Sequence, residues 1–338
     1  MKAAGYDVSF IVPHERDESL AGVKIYAIAR NMSKFSRLFV QPVRLLRKAM
    51  KVEVDLYHFH DFELWPIAVV LRFMGYKVIA DVHEDVPAQL RQRKWIPRLL
   101  KPLLSSSSAF IENNLSRFMT GIVVADKNLE KRFARYNKNV VTLNNYPLLF
   151  ELPARRYNEQ FRVVSVGGVF DERCADLIIE AAKDLKDVSF AIGGGVVGTY
   201  QGLEWQTDNC KYLGRLSFEQ VQQEYSDADL IIVMFSNADN HRDIKSNRFF
   251  ESMYAAKPVL VSNMPNWVEF INQYKCGLAV DLNLPHALAD SIDKLRVDRV
   301  LAGEMGEKGR AAVLSSFSWS SEETKLLAFY SDIKMTLK

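Results

Sequence analysis

Short β-branched runs alternate along the chain with longer stretches whose apolar residues recur at helical spacing. In the first half the runs fall at residues 7–12, 23–28, 54–58, 77–82, 122–124 and 140–143, with helical patterns at 35–50, 65–74 and 129–136. The second half repeats the scheme, with runs at 162–166, 188–192, 211–213, 230–234, 259–261 and 278–280. Helical patterns at 176–185, 218–225 and 246–256 fall between them. Apolar strands separated by helices are the signature of parallel sheets covered on both faces. Two series therefore predict an α/β protein of two Rossmann-like domains, residues 1–150 and 151–317. Asn144-Asn145-Tyr146-Pro147 closes the first series, and a polar stretch at 153–160 precedes the second. Residues 318–338 read as one amphipathic helix after a Ser-x-x-Ser-Glu-Glu start, expected to pack back toward the first domain. Two facing sheets of this kind bind ligands at the carboxyl ends of their strands, in the cleft between them.

Composition narrows the class. At 48% hydrophobic and 25% charged residues, the chain is neither disordered, collagen-like nor coiled coil. Cys174, Cys210 and Cys276 lie far apart without a CxxC pair, which points away from a disulfide scaffold and toward a reducing compartment. No apolar run reaches about 18 residues, and the N-terminus lacks the apolar stretch of a secretory signal, so a cytoplasmic protein is expected. The net charge of +3 hides an asymmetry: residues 1–150 balance at +9 and the remainder at −6. A basic first half suggests a domain that faces an anionic surface.

Three motifs bear on chemistry. Gly193-Gly194-Gly195-Val196-Val197-Gly198 fits GxGxxG, but the next run ends Tyr212-Leu213-Gly214-Arg215, without the acid that would hold a dinucleotide ribose. It reads as a turn bordering the site, with Gly193 and Gly194 touching a nucleotide that is not NAD. Asp227-Ala228-Asp229 spells DxD, yet the acids precede their strand, so a helix-to-strand connection is expected and no metal. The strongest constellation runs from Asp243 through Ser246 to Glu251, then Pro258 and a strand. A helix beginning near Ser246 offers free N–H groups to a diphosphate. Glu251, a turn and a half inside, needs partners that ribose hydroxyls would supply.

This constellation resembles the retaining GT-B glycosyltransferases of family 4. Asp243 and Glu251 are spaced as in the family's E-x7-E motif, with Asp in first place, and Asn247-Arg248-Phe249-Phe250-Glu251 is similar to its usual Asn-Lys-Leu-Phe-Glu. Val166-Gly167-Gly168, followed by Arg173-Cys174, resembles V-G-R-x-x-x-x-K-G, with Gly168 replacing the first basic residue and Cys174 the glycine. Tyr212-Leu213-Gly214-Arg215-Leu216, the stretch from Tyr225, Glu269 and Gly277 follow the family's downstream pattern. The resemblance implies that Glu251 holds the ribose, that Arg173 grips the diphosphate with help from Arg248 or Lys245, and that Gly167, Gly168 and Asn247 border the donor. It places Asp243 and His83 at the donor sugar. Residues 1–150 become the acceptor-side domain and 151–317 the nucleotide-sugar domain. The family's first domain opens with a strand and a glycine loop, whereas this chain begins inside the following helix, so that strand is expected to be missing. The nucleotide sugar is a substrate; no cofactor is expected.

Two histidine–acid pairs end successive runs of the first half, at Tyr57-His58-Phe59-His60-Asp61 and at Asp81-Val82-His83-Glu84-Asp85. Strand ends are where functional groups belong in such sheets, so His60, Asp61 and Glu84 are assigned to the acceptor side. Two histidines with a carboxylate also allow a competing metal site, for which the sequence fixes no third ligand. Arg91, Arg93, Lys94, Arg98 and Lys101 form a basic segment with Trp95, Ile96, Leu99, Leu100, Leu103 and Leu104 as its apolar counterpart. This reads as an anionic-membrane-surface element; no nucleic-acid motif accompanies it. The combined expectation is a retaining hexosyltransferase on the inner face of the cell membrane, using a lipid-linked saccharide acceptor in surface polysaccharide assembly. A UDP-sugar 2-epimerase and a non-catalytic nucleotide-sugar-binding relative are the alternatives.

Overall fold

The computed structural model describes residues 1–29, 33, 36, 40–93, 95–156, 158–170, 173–200, 207–236 and 246–335. Asp243, Lys245 and Lys94 lie outside the described residues. Two compact units emerge, Met1–Asn144 with Glu322–Lys338, and Asn145–Ser321. Among the described residues no helix is long and apolar enough to cross a membrane.

In the first unit β1 (Ser9–Pro13) and β3 (Val23–Ile28) pair in parallel, and β2 (Glu18–Leu20) joins β3 antiparallel. Strands β4 (Leu56–Phe59), β5 (Lys77–Val82), β6 (Gly121–Val124) and β7 (Val140–Thr142) form a second, wholly parallel sheet in that order. β5 and β6 are buried almost throughout, as central parallel strands are. The helices are α1 (Gln41–Ala49), α2 (Trp65–Phe73), α3 (Val86–Gln92), α4 (Lys101–Ser116) and α5 (Lys127–Phe133). The first four each carry proline in the first turn, where its missing N–H would have no partner anyway. The expected helix at 35–50 is thus seen from Gln41 onward.

Helix α4 turns its polar side inward. Ser105, Ser108, Glu112 and Ser116 are buried, while Leu103, Leu104, Phe110 and Ile111 are exposed. The buried side is satisfied: Arg91 Nε donates to Ser105 Oγ at 2.8 Å, and Arg132 pairs with Glu112 at 2.5 Å. Burial still pushes the Glu112 carboxyl up to about 7, against the pull of Arg132. Of the basic segment, Arg91 lies in α3 and Lys101 begins α4, with turns at residues 95–96 and 98–100 between them; Ile96 is buried there, whereas Trp95, Leu99 and Leu100 are exposed.

The second unit contains β8 (Phe161–Val166), α6 (Ala175–Asp184), β9 (Val188–Gly193), β10 (Cys210–Tyr212), α7 (Phe218–Asp227), β11 (Leu230–Val233), α8 (Asn247–Tyr254), β12 (Val259–Ser262), α9 (Pro265–Tyr274), β13 (Gly277–Val280), α10 (Ala287–Val297) and α11 (Arg299–Ser316). Its parallel sheet has the order β10-β9-β8-β11-β12-β13. The direction of strand addition reverses between β8 and β11, which opens a crevice beyond their carboxyl ends. An aromatic cluster holds α8 in place: Phe249 lies edge-on to Trp267 and Phe270, and Phe250 packs against Tyr146 and Phe317.

The last helix, α12 (Trp319–Met335), belongs from Glu322 onward with the first unit. Glu322, 1% exposed, accepts the Asn144 N–H at 2.9 Å. Gly121, at the start of β6, lies under this helix: a Cβ there would fall 2.5 Å from Ile333 Cδ1 and 2.6 Å from Phe329 Cζ. Gly121→Val should therefore lower the stability of the first unit by about 1–3 kcal/mol, the usual cost of overpacking. Urea unfolding followed by tryptophan fluorescence would measure it; an unchanged midpoint would mean α12 does not bear on β6.

Candidate active site

The second unit places most of the expected donor residues at the mouth of its crevice. The loop after β8 needs glycine where it turns: Gly167 has φ +137°, and a Cβ on it would fall 1.9 Å from Arg248 Nη1. Arg248, in the first turn of α8, thus lies over the Gly167 backbone. Gly168 tolerates a side chain better, since its Cβ would meet only the Phe170 ring at 3.3 Å. Gly194, φ +143°, lets the next loop approach so closely that a Cβ would sit 1.6 Å from Gly167 O. Its N–H is already given to Gly214 O at 2.7 Å, and that of Val197 to Val169 O at 2.9 Å. Gly194 therefore permits the contact between two loops, its own amide being engaged within them, while Gly193 leaves room for Leu216, whose Cδ1 a Cβ would meet at 2.5 Å.

Arg173 follows in the same loop. Its guanidinium stacks on Phe235, 3.9 Å from the ring centroid, and its Nε is buried without a hydrogen-bond partner. Burial, and secondly the charge of Arg248, push its pKa down to about 10. Among the described residues neither arginine has a carboxylate within ion-pair distance. Two guanidinium groups held together, one of them half-buried, are suited to an anion. Cys174, which ends the loop, holds φ +54° as the α6 N-cap. That left-handed conformation explains why glycine is usual there.

Glu251 sits one turn beyond Arg248. Tyr225 Oη, fully buried, donates to its Oε2 at 3.2 Å. Burial raises the Glu251 pKa, opposed by the Tyr225 hydrogen bond and by Arg248. Asn247 Nδ2 donates to Asn145 Oδ1 at 3.2 Å, which leaves its buried Oδ1 unpartnered among the described groups. Asp227 and Asp229, the DxD acids, serve the connection that enters the unit: Arg156 binds Asp227 through N and Nε at 2.7 and 2.6 Å, and Arg155 and Arg162 bind Asp229. Tyr225 enters the sequence reading only as the start of a family-like stretch, without a role, and Phe235 not at all; a phenylalanine in apolar surroundings gives no chemical signal.

In the first unit His58 and His60 alternate onto one face of the β4 end, and Asp81 and His83 onto the same face at the end of β5. The register Phe59↔Ala80 sets His60 beside Asp81. One carboxylate oxygen, Asp81 Oδ2, lies 3.3 Å from His58 Nε2, 3.1 Å from His60 Nδ1 and 3.5 Å from His83 Nε2. Burial acts to raise the Asp81 pKa, but the three imidazoles outweigh it and hold the carboxyl well below the usual range. The bond to Asp81 in turn raises the pKa of His60. Tyr330 from α12 hydrogen-bonds His58 Nδ1. Asp61 is exposed at the same strand end, and Glu84 is exposed and accepts from Gln89. Asp81 and Tyr330 had no assigned role in the sequence, although an acid inside the otherwise apolar run 77–82 was a usable signal.

Residues 1–145 match the Glycosyltransferase Family 4 domain and residues 153–312 the domain described as glycosyl transferases group 1. A GDP-mannose-dependent alpha-(1-6)-phosphatidylinositol monomannoside mannosyltransferase of Mycobacterium tuberculosis is 26% identical over 124 residues, 36% of this chain and 32% of that protein. The chain thus spans about a third of the length of the curated relative it matches. Among solved structures, sucrose-phosphate synthase from Thermosynechococcus elongatus superimposes with a TM-score of 0.71 at 15% identity, covering 98% of this chain and 90% of that one. Anabaena HepE in complex with UDP and glucose gives 0.67 at 13% identity, covering 92% and 87%. With a parallel α/β sheet in each unit, the chain has the GT-B fold, its residues 1–145 matching a family 4 glycosyltransferase domain and residues 153–312 a group 1 domain.

Proposed function

We propose that the protein is a retaining glycosyltransferase, transferring a hexose from a nucleotide-sugar donor to a membrane-proximal, lipid-linked saccharide in surface polysaccharide assembly. The observation that carries the reading is the pair Arg173 and Arg248, held together at the switch point of a Rossmann-like sheet. A donor diphosphate has the charge that this pair lacks, and guanidinium forks suit its geometry. Glu251, its second oxygen not engaged by Tyr225, would hold the ribose hydroxyls. The Mycobacterium relative depends on GDP-mannose by name and HepE is bound to UDP, which supports a nucleotide-sugar donor; the relative's phosphatidylinositol acceptor supports a lipid one.

Transfer breaks the bond between the sugar C1 and the diphosphate oxygen and forms a bond from C1 to the acceptor oxygen on the same face. The leaving oxygen takes the acceptor proton, so the enzyme's part is to position the reactants and neutralise charge. Arg173 and Arg248 stabilise the departing diphosphate, and His83 and Asp243 hold the sugar. The full chain given UDP- and GDP-sugars with a prenyl-phosphate-linked acceptor should release nucleoside diphosphate and form a product whose anomeric proton coupling matches that of the donor. Epimerised donor without acceptor, or binding without turnover, would overturn the proposal. Gly168→Arg, which restores the family's first cation at a site with room for it, should tighten nucleoside diphosphate binding about tenfold by calorimetry.

The inverted helix α4 supports the membrane assignment. Trp95, Leu99, Leu103 and Phe110 are between 64% and 93% exposed, beside Arg93, Arg98 and Lys101. An apolar surface this extensive with a basic border fits an anionic bilayer interface. A second basic group, Arg44, Arg47, Lys48 and Lys51, lines a cleft of about 280 Å³ in the same unit. The wild-type protein should float with vesicles containing phosphatidylglycerol, and the double variant Trp95→Ser, Leu99→Ser should lose most of that binding. Equal flotation of both would dismiss this surface.

A further inference from the structure

Helix α1 carries a row of cations that the donor site does not use. Arg44, Arg47 and Lys48 stand at i, i+3 and i+4, on one face of the helix, and Lys51 follows in the turn after it. All four line the cleft of about 280 Å³, and among the described residues its lining contains no acid. The floor is the end of β3 and the residue after it, Ala27, Ile28 and Ala29. Strand β3 pairs in parallel with β1, and this is its carboxyl end, where open α/β sheets bind their ligands.

One carboxylate reaches the row, and it fixes the cleft rather than filling it. Asp17 Oδ1 accepts the Ala27 N–H at 2.7 Å, and its Oδ2 lies 2.7 Å from Lys48 Nζ. Lys48 is thereby tied to β3, whereas Arg47 and Lys51 are exposed and make no ion pair among the described residues. Four cations against this one acid leave an excess of three. Arg44 with Lys48, and Arg47 with Lys51, are like charges four residues apart, a spacing at which they repel. An anion among them relieves that repulsion. A cleft of about 280 Å³ lies at the lower edge of the roughly 300–1,000 Å³ that encloses a whole small molecule, so it suits an ionic group better than a saccharide.

We propose that this cleft binds the phosphates that join the acceptor saccharide to its lipid. Guanidinium forks take up two phosphate oxygens at a time, and the lysines add point charges. The row from Arg44 to Lys48 is about 6 Å long, enough for two linked phosphates side by side. The assignment rests on the lipid-linked acceptor proposed above and names the group by which that acceptor is held. It also gives the basic first half of the chain a task separate from the apolar surface around Trp95.

Geranyl diphosphate, a soluble prenyl diphosphate, should bind the full chain in a calorimetric titration. The double variant Arg47→Gln, Lys51→Gln should weaken that binding at least tenfold, the equivalent of one charge-assisted hydrogen bond. Both side chains are exposed, so the variant should keep the wild-type circular dichroism spectrum. Arg173→Met should retain geranyl diphosphate and lose UDP; the double variant should do the reverse. Equal geranyl diphosphate affinity in the wild type and the double variant would overturn the proposal. A loss confined to Arg173→Met would overturn it too, since the ligand would then sit at the donor site. Phosphatidylglycerol vesicles test the other source of phosphate: flotation lost in the double variant, with geranyl diphosphate affinity kept, would make the row a membrane patch and dismiss the acceptor site. No arm reads turnover, so failure here and failure of the transferase reading are told apart.

Discussion

Replacing Arg173 by methionine should make the ligand-free protein more stable while removing its response to nucleoside diphosphates. The two effects share one cause. Arg173 is half-buried beside Arg248, its Nε fully so, and among the described residues no carboxylate lies within ion-pair distance, so the folded state bears a partly desolvated cation. Methionine keeps the contact with Phe235 and removes the charge; exchanges of buried ions for apolar groups are neutral or stabilising by about 1–4 kcal/mol. At roughly 2–4 °C per kcal/mol for a unit of this size, the second transition should move up by several degrees. Charge-assisted hydrogen bonds contribute about 1.5–3 kcal/mol, so UDP or GDP affinity should fall about 10–100-fold. Differential scanning fluorimetry with and without nucleotide reads both signs. A lowered midpoint with intact nucleotide binding would make Arg173 a packing residue and end its assignment to the diphosphate.

Loss of Glu251 should be nearly as severe for binding and opposite for stability. Glu251→Ala removes the ribose acceptor and strands the buried Tyr225 hydroxyl, an unmade bond that costs about 1–3 kcal/mol. Glu251→Gln keeps an acceptor for Tyr225 and loses only the charge, so it should fold normally and bind nucleotide at least tenfold more weakly. The pH dependence carries a further signature. Burial raises the Glu251 pKa above 4.5, so this group's contribution to ligand-free stability is full below that value and is lost as pH rises through the raised pKa. Nucleotide binding, which needs the carboxylate, should strengthen over the same interval in the wild type and stay flat in Glu251→Gln. Calorimetric titrations of UDP between pH 4.5 and 7.5 would show the difference; parallel profiles would remove Glu251 from the site.

Apolar runs made the sheets legible. Residues 23–28 and 77–82 coincide with β3 and β5, and the other runs differ from their strands by a residue or two. β2 escaped notice because Glu18-Ser19-Leu20 has no apolar run, and an antiparallel edge needs none. Helix α4 was hidden for the opposite reason. Ser105–Ser108 interrupts any apolar periodicity, and only the fold turns that polar side inward, toward Arg91 and Arg132. Donor residues could be read from motif spacing, since Gly167, Arg173, Arg248 and Glu251 belong to contiguous stretches of chain. The histidine cluster could not: Asp81 reaches His60 through strand register, and Tyr330 arrives from 272 residues beyond His58.

The return of α12 to the first unit also governs how this chain leaves the ribosome. Asn144 waits for Glu322, 178 residues downstream, to satisfy its N–H, and Gly121 waits for Phe329 and Ile333 to cover it. At elongation rates of roughly 5–20 residues per second, the intervening unit takes about 10–35 s to be made. Throughout that interval the nascent N-terminal sheet leaves an apolar seat uncovered, a natural client surface for a ribosome-associated chaperone. The second unit, continuous in the chain, can close first. Synthesis order and folding order are thereby inverted, and the domain translated first is the last to be finished.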